Sequence, residues 1–124
     1  MKRIMIPVIA MACLLVGPAA RAQDPVKVDP KHYQVEFEND AVRILRIHYG
    51  VGEQSDMHEH PDGVVIYLTE AENTMTYQDG KTVVNSGKAG TVQAAPGGPH
   101  LPQNTGSKPM ELILVEFKNK AAAK

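Results

Sequence analysis

At 124 residues, with 13 Lys and Arg against 14 Asp and Glu and a net charge of −1, the chain has the length of a single domain. It has no excess of basic charge of the kind that neutralises nucleic-acid phosphates, which argues against nucleic acid as a partner. A single cysteine, Cys13, excludes an intrachain disulfide and any multi-thiolate metal site.

Taken in chain order, the first 22 residues read as a secretory signal peptide. Lys2 and Arg3 give a positive start, Ile4 to Val16 form an apolar run, and Ala20-Arg21-Ala22 supplies a small-x-small cleavage site before Gln23. Pro7 and Gly17-Pro18 keep the apolar run well short of the ~20 residues that a membrane span needs. The expectation is an exported protein, periplasmic or secreted, with no membrane association after cleavage. Cys13 leaves with the signal. Loss of Lys2, Arg3 and Arg21 gives ten basic against fourteen acidic side chains, a mature charge of −4.

Residues 23–31, with Pro25 and Pro30, read as a flexible lead-in that leaves His32 solvated. Short runs of β-formers follow. Tyr33 to Glu38 alternates apolar and polar as a half-buried strand does. Ala41 to Tyr49 puts Leu45, Ile47 and Tyr49 on one face and Arg46 and His48 on the other, since side chains alternate along a strand. His48 belongs to that outer face or to a pocket wall. Val64 to Thr69 is nearly all apolar, the pattern of a strand buried on both sides. Asn73 to Gln78 and Lys81 to Asn85 flank Asp79-Gly80, a two-residue hairpin signal. Thr91 to Ala95 leads into a Pro/Gly bend, and Glu111 to Phe117 forms a last core strand. No sustained 3.6-residue periodicity appears. Nine prolines and ten glycines punctuate the chain, so the fold class is all-β, an antiparallel sandwich or barrel. The barrel domain spans 32–118, and 119–124 form a basic, solvated tail.

Chemistry concentrates in two segments. The first, Gly52-Glu-Gln-Ser-Asp-Met-His58-Glu-His60, places two imidazoles at i and i+2, on one face of a strand. Met57 and Glu59 then point away. The second, Ala95-Pro96-Gly97-Gly98-Pro99-His100-Leu-Pro-Gln-Asn104, brings a third imidazole from a neighbouring strand. Neutral imidazoles bind Zn, Cu, Fe or Ni, and the wider choice includes Mn. Three protein ligands leave a coordination position open, which is the mark of a reactive metal site rather than a structural one.

These two segments resemble the two conserved motifs of the cupin superfamily. Gly52, His58 and His60 match the opening of the first motif. Gly97, His100 and Asn104 fall at the relative places of the second, with Pro96 one position late. The resemblance spans roughly Tyr33 to Phe117 and implies a double-sheet jelly roll with one divalent transition metal ion inside one end of the barrel. The family's first motif normally adds a glutamate four or five residues after the second histidine, where this chain has Val64 and Val65. Asp62 is near in sequence, but Pro61-Asp62-Gly63 reads as a turn. The ligand set implied is therefore His58, His60 and His100, as in three-histidine cupins that include thiol and diketone dioxygenases. Two functions follow as expectations: an oxygenase-type enzyme acting on a small organic substrate, or a non-catalytic module capturing a metal ion or small ligand. Tyr49, Tyr67 and Tyr77 line a pocket or pack. Small cupins pair through sheet edges, so a homodimer is expected.

Overall fold

The computed structural model describes residues 23–118; the signal peptide and the basic tail read from the sequence lie outside them. A short helix, α1 (Pro25–Val28), precedes nine strands: β1 (Tyr33–Glu38), β2 (Val42–Tyr49), β3 (His58–His60), β4 (Gly63–Tyr67), β5 (Ala71–Tyr77), β6 (Thr82–Gly87), β7 (Val92–Ala95), β8 (Gly98–Asn104) and β9 (Met110–Phe117). They form two sheets, β1-β2-β9-β4-β7 and β3-β8-β5-β6, and every strand pair is antiparallel. The architecture is the double-sheet jelly roll expected from the sequence.

Alternation sets which side chains enter the barrel. In the β2–β9 ladder Leu45 pairs with Leu114, Ile47 with Leu112 and Tyr49 with Met110. All six are buried and form the core with Tyr33, Tyr67 and Ala71. Burial of each such large side chain stabilises the fold by roughly 1.5–3 kcal/mol relative to leaving it in water. His48, opposite Glu111, faces outward and is exposed.

Four local expectations need correction. The 23–31 segment is built into the domain. Asp24 caps α1 by accepting from Val26 N, its carboxylate pairs with Arg43, and Pro25 and Asp29 are buried. β1 is an edge strand with a bulge between Val35 and Phe37, and these two side chains are 45% and 51% exposed: Val35 lies opposite Leu45 at the sheet edge, and the bulge turns Phe37 to pair with Ile44 on the outer face. β4 is buried only on its barrel side. Val64 and Ile66 are half-buried on the other face, and Leu68 just beyond is 39% exposed. The hairpin after β5 has a three-residue loop, closed by Tyr77 N donating to Lys81 O, with Gly80 at φ +84°. That left-handed position follows Asp79, whose carboxylate accepts from Lys81 N, and gives the bulged hairpin geometry that glycine permits.

Candidate functional site

β3 is only three residues long, and it carries His58 and His60 on its buried face while Glu59 is exposed. Its antiparallel register against β8 sets His58 opposite His100, so all three imidazoles enter the same end of the barrel. Ring centroids lie 4.9 Å apart for His58–His100, 4.7 Å for His60–His100 and 6.5 Å for His58–His60. The sheet closes tightly here because position 97 is glycine. A Cβ there would stand 2.8 Å from the Asp62 nitrogen and the His60 carbonyl oxygen, contacts that real side chains do not make. Asp62 belongs to this turn: its carboxylate accepts from Gly97 N at 2.7 Å.

Hydrogen bonds fix which ring nitrogen of two histidines is free. His60 Nδ1 lies 2.8 Å from the Pro61 carbonyl oxygen, which can only accept, so Nδ1 carries the proton and Nε2 keeps its lone pair. His58 Nδ1 meets Ser55 Oγ at 2.9 Å and the Asp56 carbonyl oxygen at 3.0 Å, with the same consequence. His58 Nε2 is buried and has no hydrogen-bond partner. An oxygen acceptor on one nitrogen with the other left bare is the tautomer in which imidazole ligates a metal. Burial, with the neighbouring His60 adding to it, lowers His58 to about 4 against the pull of the Asp56 carbonyl. Burial together with His60 and His58 lowers His100 to about 3. Both rings are therefore neutral at ordinary pH. Among the described residues, no group of three or more His, Cys, Asp or Glu side chains stands in ready metal-holding geometry. His100 meets the other two rings edge to face, with planes at 77° and 67°. The donor chemistry thus fits a metal, while the rings must turn to share one.

Solved structures share this fold. A cupin domain from Bordetella pertussis Tohama I superposes with a TM-score of 0.64 at 21% identity, covering 70% of this chain and 92% of that one. A conserved protein with a double-stranded β-helix domain from Klebsiella pneumoniae gives 0.56 at 24% identity, covering 72% and 77%. An RmlC-like cupin family protein from Methanocaldococcus jannaschii gives 0.54 at 25% identity, covering 72% and 83%. The chain has the cupin fold. Neither a family model nor a curated protein matches the sequence.

Inside this cupin barrel lies a cavity of about 120 Å³, whose lining includes Tyr33, His60, Tyr67, Asn73, Met75 and His100. Tyr49 and Tyr77 line it too. Val65, at one of the two places of the missing glutamate, contributes an apolar wall, and among the described residues no Lys, Arg, Asp or Glu lines it. Tyr49 Oη donates to Tyr33 Oη at 2.8 Å, and the Tyr33 ring meets His58 edge-on at 4.8 Å. Burial, joined by Tyr49, pushes the Tyr33 phenol well up, so it stays protonated.

Other expected residues take structural roles. Asn104 Nδ2 donates to the carbonyls of Tyr49, Gly50 and Lys108, and its Oδ1 accepts from Gly106 N. It ties the loops at the barrel end opposite the histidines. Met57 is half-buried just ahead of β3, rather than in the core. His32, expected in solvent, is 6% exposed. Its Nδ1 meets both Asp29 oxygens at 2.7 and 2.8 Å, and its Nε2 meets Glu53 at 2.5 Å. Its ring stacks on Tyr49 at 4.2 Å with 3° between planes. The His32 hydrogen bond holds the Glu53 carboxyl down at about 2. Glu116, at the end of β9, is a buried carboxylate that accepts from Arg43 Nε and keeps Oε2 without a partner. The inward period of β9 places it there, but its burial depends on Arg43 and Asp24 arriving from distant segments.

Proposed function

We propose that His58, His60 and His100 bind one divalent transition metal ion, Zn, Fe, Cu, Ni or Mn, and that a small organic molecule in the barrel cavity takes the open coordination position. The observation that carries this is the pair of Nδ1 hydrogen bonds, from His58 to Ser55 and Asp56 and from His60 to Pro61. They leave Nε2 bare on two rings that converge with a third. Such a metal would supply Lewis acidity or, as iron or copper, a route to dioxygen chemistry. The chain's own groups do the rest. Tyr33 and Tyr49 hold the phenolic wall beside His58, and the apolar lining excludes water. Oxygenation of the bound molecule is the reaction to test first, in a protein that works after export.

A second reading, a non-catalytic module that captures a metal ion or small ligand, is favoured by one observation. Among the described residues the cavity lining holds no carboxylate, and the nearest in sequence, Asp56 and Glu59, are exposed. A proton-transfer mechanism would have only imidazole and phenol to use.

Calorimetric titration of the full chain with Zn(II) tests the metal site. One equivalent is expected, with affinity reduced about 100-fold in His60→Ala and unchanged in His48→Ala, whose ring lies on the outer face. Equal binding by both variants would overturn the proposal. Dioxygen uptake by the Fe(II)-loaded chain offered single-ring phenols would then separate enzyme from binder.

A further inference from the structure

The cavity has a second polar end. The β5–β8 register sets Tyr77 opposite His100, Met75 opposite Pro102, and Asn73 opposite Asn104. Asn73 is therefore four residues along β5 from the histidine level, about 13 Å at the rise of a strand. It lines the cavity, is 2% exposed, and its Oδ1 has no hydrogen-bond partner.

A directional chain of bonds explains why that oxygen is the atom left over. Gln93 Nε2 donates to the Ser86 carbonyl at 2.9 Å, which turns Gln93 Oε1 toward Tyr67. Tyr67 Oη donates to that oxygen at 3.3 Å. With its proton used, the phenol oxygen can only accept, so toward neighbouring Asn73 it favours the amide nitrogen over the amide oxygen, and Asn73 Oδ1 is left without a partner among the described residues. Neighbouring Asn104 does not line the cavity.

The surroundings restrict what such an acceptor can meet. Among the described residues no Lys, Arg, Asp or Glu lines the cavity, so an ionised ligand would be buried without a counter-charge from them, which is far costlier than burying a hydrogen-bonded neutral group. The volume of about 120 Å³ is near that of an engineered apolar cavity of about 150 Å³ that takes benzene. We infer that Asn73 Oδ1 is the specificity-determining acceptor for a neutral, single-ring ligand carrying one O–H or N–H donor. The inference rests on the reading of the barrel interior as a ligand compartment and needs no metal.

The test is an NMR titration of the full chain with phenol, toluene and benzoate, run in the presence of EDTA at neutral pH. Phenol should bind about tenfold more tightly than toluene, the worth of one net hydrogen bond, and benzoate should bind more weakly than either. In Asn73→Leu the advantage of phenol over toluene should fall to about unity. Toluene or benzoate matching phenol, no binding of phenol, or a phenol preference that survives in Asn73→Leu would each overturn the inference. Should Asn73→Leu fail to fold, the three ligands on the unaltered chain decide it alone. Because chelator is present, failure here is separate from failure of the three-histidine metal site.

Discussion

His58 and His100 face each other across the β3–β8 ladder with ring centroids 4.9 Å apart and planes at 77°. Both are lowered, mainly by burial, to about 4 and about 3, whereas an unfolded histidine titrates near ~6.5. The unfolded chain therefore binds more protons between these values, and stability must fall as pH falls through that window. The contribution is fully present above ~6.5 and is lost progressively toward about 4 and about 3. Each ring adds a slope of about 1.4 kcal/mol per pH unit within it.

Urea denaturation of the metal-free chain at a series of pH values reads this slope. Carboxylates such as Glu53 add theirs only below their own unfolded range, so pH ~5 to ~6.5 is the clean interval. There the stability of His100→Gln should fall roughly half as steeply as that of the unaltered chain. Equal slopes would show that His100 is not held neutral by burial.

His32 joins the N-terminal segment to the barrel through Asp29, Glu53 and Tyr49. In His32→Gln two carboxylates keep their burial or half-burial and lose a charge-assisted partner. A loss of about 2–4 kcal/mol is expected, measured as a lower urea midpoint with unchanged slope. A change within ~0.5 kcal/mol, the size of an ordinary surface substitution, would mean that this cluster is not holding the segment in place.

The sheet pattern of this fold was legible because alternation is local. Leu45, Ile47 and Tyr49, and Leu112 and Leu114, declare their faces within a few residues. The same local rule put His58 and His60 on one face, and motif spacing added His100. What sequence could not give depends on groups distant along the chain. His32 looked solvated because Glu53, 21 residues away, is needed to bury it. β8 looked like a bend because Pro99 and Pro102 mimic loop chemistry, yet its pairing with β5 runs through Pro102. Asn73 carried no signal at all, since its neighbours Tyr67, Ser86 and Gln93 come from three other strands. β4 was read as more buried than it is because apolar content does not show whether a second layer covers the outer face, and β1 because alternation shows neither a sheet edge nor a bulge.

Gly97 couples the two halves of the site. In Gly97→Ala the new methyl would press on the backbone at His60, Pro61 and Asp62, with nearest approaches of 2.8–2.9 Å, and backbone cannot swing aside as a side chain can. Overpacking of this kind costs about 1–3 kcal/mol. Denaturation should show that loss, and Zn(II) affinity should fall with it because His60 and His100 are pushed apart. Unaltered stability and affinity would show that the 60–62 turn yields freely.

The most direct test of the three-histidine centre is elemental analysis of the purified protein, prepared without a polyhistidine tag, beside its His58→Ala/His100→Ala variant. About one equivalent of a transition metal per chain is expected, present in the protein and lost in a variant that remains folded. The identity of that metal would then choose between oxygen chemistry and zinc chemistry. Finding none, and none taken up when Zn, Fe, Cu, Ni and Mn are each offered, would contradict a three-histidine metal centre.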